Sequence, residues 1–351
     1  MEGCPHGEAH QAGRGERQRE DCTPACRGRH TGGTHRRDRR PGAGRLRHAR
    51  SASGDGHASG GATPRGAILF VADGNVFVWE DGEVEQVTRD GRAAAPGWAP
   101  DGQRFAYVQV DQELGYSDLV IAARDGTLLR QVTANRPDAQ PGTRAFVRSA
   151  YWAMDPAWSP VDDALVFGSD EGGWEPAPDE ERLSDPLFLW YAERSDAPPY
   201  LLPASARIGL TQESPTFSPD GSKIAFVVRA GNGTQPKTEL WTMTLDGGAT
   251  SVLVSGDGSA FDPTGAPDGK HIAYIQRSGT QDDVWIAPVD GGAPYQLTHV
   301  GSCVAPVRSP DGAFLAFSRI SGGTFAAAYV RLSPGGRRPA GGVRTPHLVH
   351  R

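Results

Sequence analysis

The sequence predicts an all-β protein: a six-bladed β-propeller whose blades are four-stranded antiparallel sheets. The first supporting observation is a cassette, Pro-x-aromatic-Ser/Ala-Pro-Asp-Gly followed by a short apolar run, which recurs five times. Self-similarity with a period of about 40 to 50 residues is typical of solenoids, arrays and propellers. The second is the content of 46 Gly and 28 Pro, about a fifth of the 351 residues, which favours many tight turns over long helices.

Each cassette predicts a β-hairpin. In residues 215–226, PTFSPDGSKIAF, Pro219 and Gly221 provide the backbone angles of a tight turn, and Ile224 and Phe226 alternate with other residues after it. Period-2 alternation on both sides of a tight turn indicates two paired strands. The other cassettes begin at Pro96, Pro156, Pro263 and Pro306.

A second hairpin follows each cassette and completes a blade. Most copies turn at Asp-Gly, as at Asp246-Gly247, and the last strand often ends in Leu/Val-Thr. Four meandering antiparallel strands form one propeller blade. The predicted blades are 67–88, 96–133, 156–203, 215–254, 263–298 and 306–336. The first matches only three strands, so we expect another part of the chain, near Gly341 to His347, to close the ring. A β-sandwich is the disfavoured alternative, because sandwiches show no such repeat.

Composition divides the chain into a propeller, residues 66–337, and two basic ends. Residues 1–65 hold 13 Arg against 7 acidic residues, a balance of +6; since the chain carries −6, residues 66–351 carry −12. An acidic propeller argues against nucleic acid as its partner. No apolar run reaches the roughly 20 residues of a transmembrane helix. Cys303 is the only cysteine after residue 65, so we expect no disulfide framework, and we expect a monomer.

The segment 1–65 has almost no large apolar side chains, so we expect it to be disordered. Three interpretations remain open: a zinc site, which the short spacing of Cys22, Cys26, His30 and His35 disfavours; an arginine-rich RNA-binding arm; and residues that are not native coding sequence. It contains no apolar stretch of a secretory signal. Residues 338–351 form a basic tail.

The cassettes resemble the WD40-like propeller repeats of the TolB family, whose signature is an aromatic-Ser-Pro-Asp-Gly turn followed by an Ile-Ala-Phe strand. The resemblance covers about residues 67–336. It departs where Gly265 and Arg308 replace the aromatic residue and where Val161-Asp162 replaces Asp-Gly. Because Gly265 removes a ring, we expect its blade to be less stable. The resemblance implies a bacterial protein that is periplasmic, secreted or anchored outside the membrane.

The longer connections all fall on one face of the predicted propeller, and long loops on a rigid scaffold are where binding usually occurs. These connections are residues 111–117, 134–155, 169–185, 230–238 and 276–282. This surface, the long-loop face, carries arginine and aromatic residues of the kind found in binding hot spots. The candidate binding residues are Arg144, Phe146, Arg148, Tyr151, Trp152 and Trp174. An alternative for Tyr151 and Trp152 is that they pack beneath their own loop.

Carboxylates mark a second candidate site, at the mouth of the central channel. Asp155, Glu213 and Asp262 lie one or two residues before a cassette Pro, and equivalent positions in successive blades would form a ring. They could bind a cation or a basic group, or cap nearby backbone groups. The acidic loop 169–185 could hold Ca²⁺, but a solvated loop is the favoured interpretation, so we predict no cofactor and no resident metal.

The sequence carries no recognisable catalytic motif. Gly-x-Ser-x-Gly, Gly-Lys-Ser/Thr and His-Glu-x-x-His are all missing, and His271 follows a turn where we expect exposure to solvent. We therefore expect a non-enzymatic propeller that binds a protein, peptide or envelope component on its long-loop face. The alternatives are a carboxylate-dependent hydrolase or lyase at the channel mouth, and a propeller fragment of a larger polypeptide.

Overall fold

The computed structural model describes residues 66–171, 186–194, 196–230, 237–256, 258–321, 324–333 and 342–343. These residues form six antiparallel sheets arranged as the blades of a β-propeller, which confirms the predicted fold class. Segment 1–65, the loop with Trp174, and most of the tail 338–351 lie outside the described residues.

Within each sheet the strands pair in chain order. The first three blades contain β1 (Ala67–Ala72), β2 (Asn75–Glu80) and β3 (Glu83–Gln86); β4 (Ala93–Trp98), β5 (Arg104–Asp111), β6 (Tyr116–Ala123) and β7 (Leu128–Gln131); and β8 (Ala153–Trp158), β9 (Leu165–Ser169), β10 (Phe188–Ala192) and β11 (Tyr200–Leu201). Helix α1 (Arg144–Ser149) precedes β8, and helix α2 (Pro203–Ile208) follows β11.

The last three blades follow the same plan. They contain β12 (Gln212–Phe217), β13 (Lys223–Ala230), β14 (Lys237–Thr244) and β15 (Thr250–Val254); β16 (Ser259–Gly265), β17 (His271–Ser278), β18 (Gln281–Pro288) and β19 (Tyr295–Gln296); and β20 (Cys303–Arg308), β21 (Phe314–Ser321) and β22 (Thr324–Arg331). The first blade is three-stranded as predicted, and in the described residues the sixth blade is three-stranded too.

The cassette turn forms because its Asp and Gly each satisfy a local requirement. Gly221 adopts φ +71°, which a residue without Cβ reaches at no steric cost. The carboxylate of Asp220 accepts a hydrogen bond from the backbone N–H of Ser222 (3.1 Å), two residues on. Asp101, Asp268 and Asp311 make the same bond in their own turns. In the departing cassette, Asp163 takes the positive φ instead.

The Leu/Val-Thr ending of the last strand has a structural role that the sequence did not reveal. The hydroxyl of Thr298 donates to the buried carboxylate of Asp283 (2.8 Å), which also accepts the backbone N–H of Val300 (2.9 Å). In the second blade Thr133 and Asp118 make the same contact (3.2 Å). Each Asp–Thr pair thus fixes the chain where it leaves one blade for the next.

The core lies between the blades, where apolar faces of neighbouring sheets pack together. Between the third and fourth blades, Val166 and Leu189 meet Phe226, Val228 and Met243, all essentially inaccessible to solvent. Burying such a side chain contributes about 1.5–3 kcal/mol each. The ring is therefore held mainly by apolar burial between successive repeats.

The inner strands β4, β8, β12, β16 and β20 contact one another in that order and line the central channel. No contact of comparable extent joins the sixth blade to the first within the described part of the chain. Of the predicted closing strand, only Gly342 and Val343 are described, and Val343 packs against the core between the fifth and sixth blades. Closure by residues 341–347 stays a prediction.

Two sequence expectations are wrong. His271 is buried because it begins strand β17 instead of lying in the turn before it, and its Nδ1 lies 2.8 Å from a carboxylate oxygen of Asp268. Residues 276–282 do not form a long loop, since β17 and β18 extend to a two-residue turn at Gly279. None of the helices in the described ranges is long and apolar enough to cross a membrane.

Candidate functional site

The predicted binding loop before β8 is partly helical. Thr143 caps helix α1, since its hydroxyl accepts the backbone N–H of Phe146 (3.2 Å). Arg144 and Arg148 are exposed on this helix. Phe146 is only 3% exposed and packs against Tyr116, which argues against its predicted role as a contact for a partner. The structure instead gives it the role of anchoring the loop.

Tyr151 and Trp152 are half-buried, and their backbone is held at both ends. The carbonyl oxygen of Tyr151 accepts the N–H of Ser117 (3.1 Å), and the N–H of Trp152 donates to Asp170 (2.7 Å). These bonds fix where the two aromatic side chains lie while leaving each partly accessible. Both side chains are thus partly covered and partly accessible, and their role in binding a partner stays a prediction.

A cavity of about 470 Å³ opens beside helix α1. Its lining consists of residues 136–141 together with the edge of Phe146. The volume falls within the range of about 300–1,000 Å³ that is usual for ligand pockets. The structure therefore places Arg144, Arg148, Tyr151 and Trp152 on one loop, and the same loop forms a concave surface.

Two of the three channel-mouth carboxylates lie on a feature that repeats in every four-stranded blade and in the sixth. Each inner strand has a β-bulge just before its cassette Pro, and the bulged residue has a positive φ. The bulged residues are Ala95, Asp155, Ser214, Asp262 and Ala305. A bulge redirects a side chain and leaves an N–H outside the ladder. A left-handed conformation costs a residue other than Gly about 1–2 kcal/mol.

Two of the bulged residues are carboxylates that bond across blades. Asp155 accepts both the N–H (3.2 Å) and the hydroxyl (3.1 Å) of Ser214 in the next blade. Asp262 accepts the N–H of Ala305 (3.0 Å) in the blade after it. Each carboxylate therefore satisfies the N–H that the neighbouring bulge releases, which is the capping role that the sequence left open.

The electrostatics of these carboxylates go beyond capping. Burial raises the pKa of Asp155 above its ordinary value; the hydrogen bonds from Ser214 oppose this shift, and the charge of Glu213 adds to it. Burial also raises the pKa of Asp262, opposed by the bond from Ala305 and increased by the charge of Asp155. Asp155 and Asp262 therefore lie close enough to repel each other in a partly desolvated channel.

Glu213 occupies a different position from the other two. It precedes the bulge by one residue, and Ser214 takes the bulge position in its blade. A carboxylate oxygen of Glu213 lies 2.8 Å from Nε of Arg229, so its charge is paired at the rim. Ser214 is thus the residue that sequence reasoning missed, and its place directly before a cassette Pro was the available signal.

In the residues that the structure describes, no three His, Cys, Asp or Glu side chains lie close enough together to hold a metal ion. Most of the acidic loop 169–185 lies outside these residues, so Ca²⁺ binding there stays untested.

Residues 204–339 match the family model described as the TolB beta propeller domain (PD40). TolB from Acinetobacter baumannii has a similar structure, with a TM-score of 0.54 and 19% identity over 77% of this chain and 61% of that one. The chain thus spans about three fifths of the length of that TolB. No curated protein sequence matches the chain.

Other solved structures share the fold. A TolB protein from Agrobacterium tumefaciens has a TM-score of 0.55 and 18% identity, over 75% of this chain and 83% of that one. Oligogalacturonate lyase from Vibrio parahaemolyticus has a TM-score of 0.50 and 13% identity, over 80% and 73%. At these identities the likeness shows the fold alone, and propellers with different activities share it.

Proposed function

Because this chain carries a TolB-like β-propeller, we propose that it is a non-enzymatic scaffold that binds a protein, peptide or envelope component through its long-loop face. In this proposal a basic group of the partner, a lysine, an arginine or a terminal amine, enters the channel mouth. We place the protein in the periplasm or outside the cell, where TolB-like proteins are expected. Detection in the periplasmic fraction after osmotic shock would test the location.

The observation that supports this function best is the pair of bulge carboxylates. Burial raises the pKa of both Asp155 and Asp262; the charge of Glu213 adds to the shift of Asp155, and the charge of Asp155 adds to that of Asp262. Capping an N–H requires only an acceptor, and a neutral side chain such as Asn would provide one without that repulsion. A cation between the two carboxylates would offset both burial and repulsion. Their arrangement therefore suits a basic ligand group better than an empty channel.

The loop before β8 supplies the rest of the proposed surface. Arg144 and Arg148 are exposed on helix α1, and a cavity of about 470 Å³ lies beside this helix. Half-buried aromatic residues and arginine are the side chains most often responsible for binding energy at interfaces. A partner that presents a basic group to the channel and apolar or acidic groups to this loop would complement the whole face.

A display library of random peptides tests the proposal without a known partner. We expect the protein to enrich peptides that contain Lys or Arg, and the double variant Asp155→Asn with Asp262→Asn to lose that enrichment. The control Asp246→Asn removes a carboxylate from a turn at the opposite ends of the strands. Equal enrichment by the double variant and the control would contradict a role for the channel carboxylates.

The loop is tested separately. The double variant Tyr151→Ala with Trp152→Ala should weaken binding of any enriched peptide while retaining the thermal unfolding midpoint of a folded propeller. Unchanged affinity in that variant would exclude this loop from the binding surface.

A second candidate function, a carboxylate-dependent hydrolase or lyase, is favoured by one observation. Acid/base pairs of carboxylates work when their pKa values are held apart, and the pKa of Asp155 is raised while Glu213 lies nearby as a second carboxylate. Turnover of a glycoside or polyuronide substrate that Asp155→Asn abolishes would support it. Turnover that survives this substitution would remove it.

A further inference from the structure

The last residue of each inner strand lies between two blades, and its side chain usually fills that junction. Trp98 lies at the junction of the first two blades and Trp158 at the next. The indole Nε1 of Trp98 donates to the carbonyl oxygen of Ala67 (3.2 Å), and that of Trp158 donates to the carbonyl oxygen of Gly97 (3.1 Å). The two rings thus tie neighbouring blades by the same bond.

A cation completes the Trp158 junction. The guanidinium of Arg104, the first residue of β5 in the preceding blade, lies 5.4 Å from the centroid of the Trp158 ring. A cation within about 6 Å of a ring face is attracted by the ring's quadrupole. This junction therefore consists of a carbonyl acceptor, a cation and an indole that contacts both.

The junction between the fourth and fifth blades lacks a ring at this position. Gly265 takes the place of Trp158 in the repeat, and an open cleft of about 400 Å³ lies there instead. Apolar side chains at its base include Ile224 of the fourth blade and Ile272 of the fifth, both buried. The cleft opens among the cassette turns, at the strand ends opposite to the long-loop face.

The two other components of the junction are still present. Lys223 is the first residue of β13, as Arg104 is of β5, and it lines the cleft. Thr216 pairs with Ala225 just as Gly97 pairs with Ala106, so its carbonyl oxygen corresponds to the one that accepts the Trp158 indole. The cleft thus retains the cation and the acceptor and lacks only the indole.

Residue 265 supplies no side chain to this space. A Cβ on Gly265 would lie 3.0 Å from the backbone oxygen of Phe217, so a larger residue there would require the two inner strands to shift slightly. In the native sequence a ring at this position has to come from outside. The close approach adds to the expectation that Gly265 weakens its blade, because glycine also lets the two inner strands approach closely there.

We propose that this cleft, the Gly265 cleft, binds a tryptophan side chain of a partner polypeptide, in the position that Trp158 takes between the second and third blades. The positive charge of Lys223 complements the negative face of the ring, and the carbonyl oxygen of Thr216 accepts the indole N–H. The volume suits a single aromatic side chain with part of its backbone. The site lies on the opposite face from the proposed partner site and does not depend on it.

Methyl NMR with N-acetyltryptophanamide as the probe tests the proposal directly. We expect the methyl signals of Ile224 and Ile272 to shift with added probe. Those of Ile121, at the core between the second and third blades, should stay unchanged because Trp158 fills that junction. N-acetylleucinamide should give much smaller shifts at equal concentration. Equal shifts with both probes, or none at the two cleft isoleucines, would overturn the proposal.

Variants separate the cation from general packing. Lys223→Ala should raise the dissociation constant of the probe about two- to five-fold, which corresponds to the free energy of an exposed cation–π contact. Lys223→Arg should restore the native value. The matched control Lys237→Ala removes a lysine from the far end of the neighbouring strand β14 and should change nothing. An unchanged constant in Lys223→Ala would refute the role of the cation.

Two modified probes test the remaining parts. N-acetyl-1-methyltryptophanamide lacks the indole N–H and should bind more weakly than the parent, and equal binding would exclude the carbonyl contact. Free indole that shifts the cleft isoleucines while N-acetyltryptophanamide does not would refute a polypeptide as the occupant.

Discussion

Gly126 provides a sharp test of how the three-stranded first blade joins the propeller. It lies in the turn between β6 and β7 with φ +87°, and a Cβ there would overlap the carbonyl oxygen of Val87, which follows β3 in the first blade. Gly291 occupies the equivalent turn between β18 and β19 with φ +94°, but a Cβ there would meet no atom within 4 Å. The two glycines differ in their neighbours and hardly at all in backbone conformation.

The expected loss of stability follows from that difference. Placing alanine in a left-handed conformation costs about 1–2 kcal/mol at either site. At Gly126 the overlap with Val87 adds the cost of overpacking, about 1–3 kcal/mol, because the carbonyl belongs to the backbone of another blade and cannot rotate away. For a domain of this size 1 kcal/mol changes the unfolding midpoint by about 2–4 °C. Gly126→Ala should therefore unfold about 2–12 °C below Gly291→Ala.

Thermal unfolding followed by circular dichroism, with urea titration of both variants, measures the difference. Urea midpoints should fall in the same order without a change in slope, since neither substitution alters the surface exposed on unfolding. Equal midpoints for Gly126→Ala and Gly291→Ala would refute the close approach and, with it, the packing of the first blade against the second.

Three further predictions concern polar contacts between and within blades. Asp283→Ala leaves two part-buried N–H groups and the buried hydroxyl of Thr298 without their acceptor, and should lower the free energy of unfolding by about 2–6 kcal/mol in urea titration. Burial raises the folded pKa of Asp155 above its ordinary value of 3.8, so its contribution to stability is present below that value and is lost as the pH rises through the raised pKa. The unfolding midpoint of Asp155→Asn should therefore exceed that of the native protein at pH 7, and the difference should vanish towards pH 3. A difference that does not depend on pH would contradict this reasoning. Arg104→Ala removes an ion pair with Asp163 (2.7 Å) and the stacking on Trp158, and should cost about 1–2 kcal/mol, with Arg104→Lys recovering only part because lysine cannot bind in a bidentate manner.

The channel mouth shows where sequence reasoning stops. The sequence placed Asp155, Glu213 and Asp262 at similar distances from a cassette Pro, and treated them as one ring. In the structure two of them lie on bulges and bond to the next blade, while Glu213 pairs with Arg229. Which residue is bulged depends on which backbone N–H and C=O groups pair with the neighbouring strand. The distance to the nearest Pro in the sequence does not determine this to within one residue.

In the loop before β8, burial separates residues that the sequence grouped together. Arginine and aromatic residues between 144 and 152 suggested a contact surface, yet Phe146 packs inward against Tyr116. Tyr116 begins a strand of the preceding blade, about thirty residues earlier. A short amphipathic helix of this length carries too few residues for its periodicity to show which side faces the protein.

By itself the sequence determined the number of repeats, the hairpins and the tight turns, because these depend on backbone preferences and hydrogen bonds that span only a few residues, as between Asp220 and Ser222. Only the tertiary structure decided which side chains meet between blades: the repulsion of Asp155 and Asp262, and the open junction at Gly265 beside Lys223. Those contacts join residues more than forty positions apart, and their energies come from desolvation and close packing, which exist only once the ring of sheets has formed.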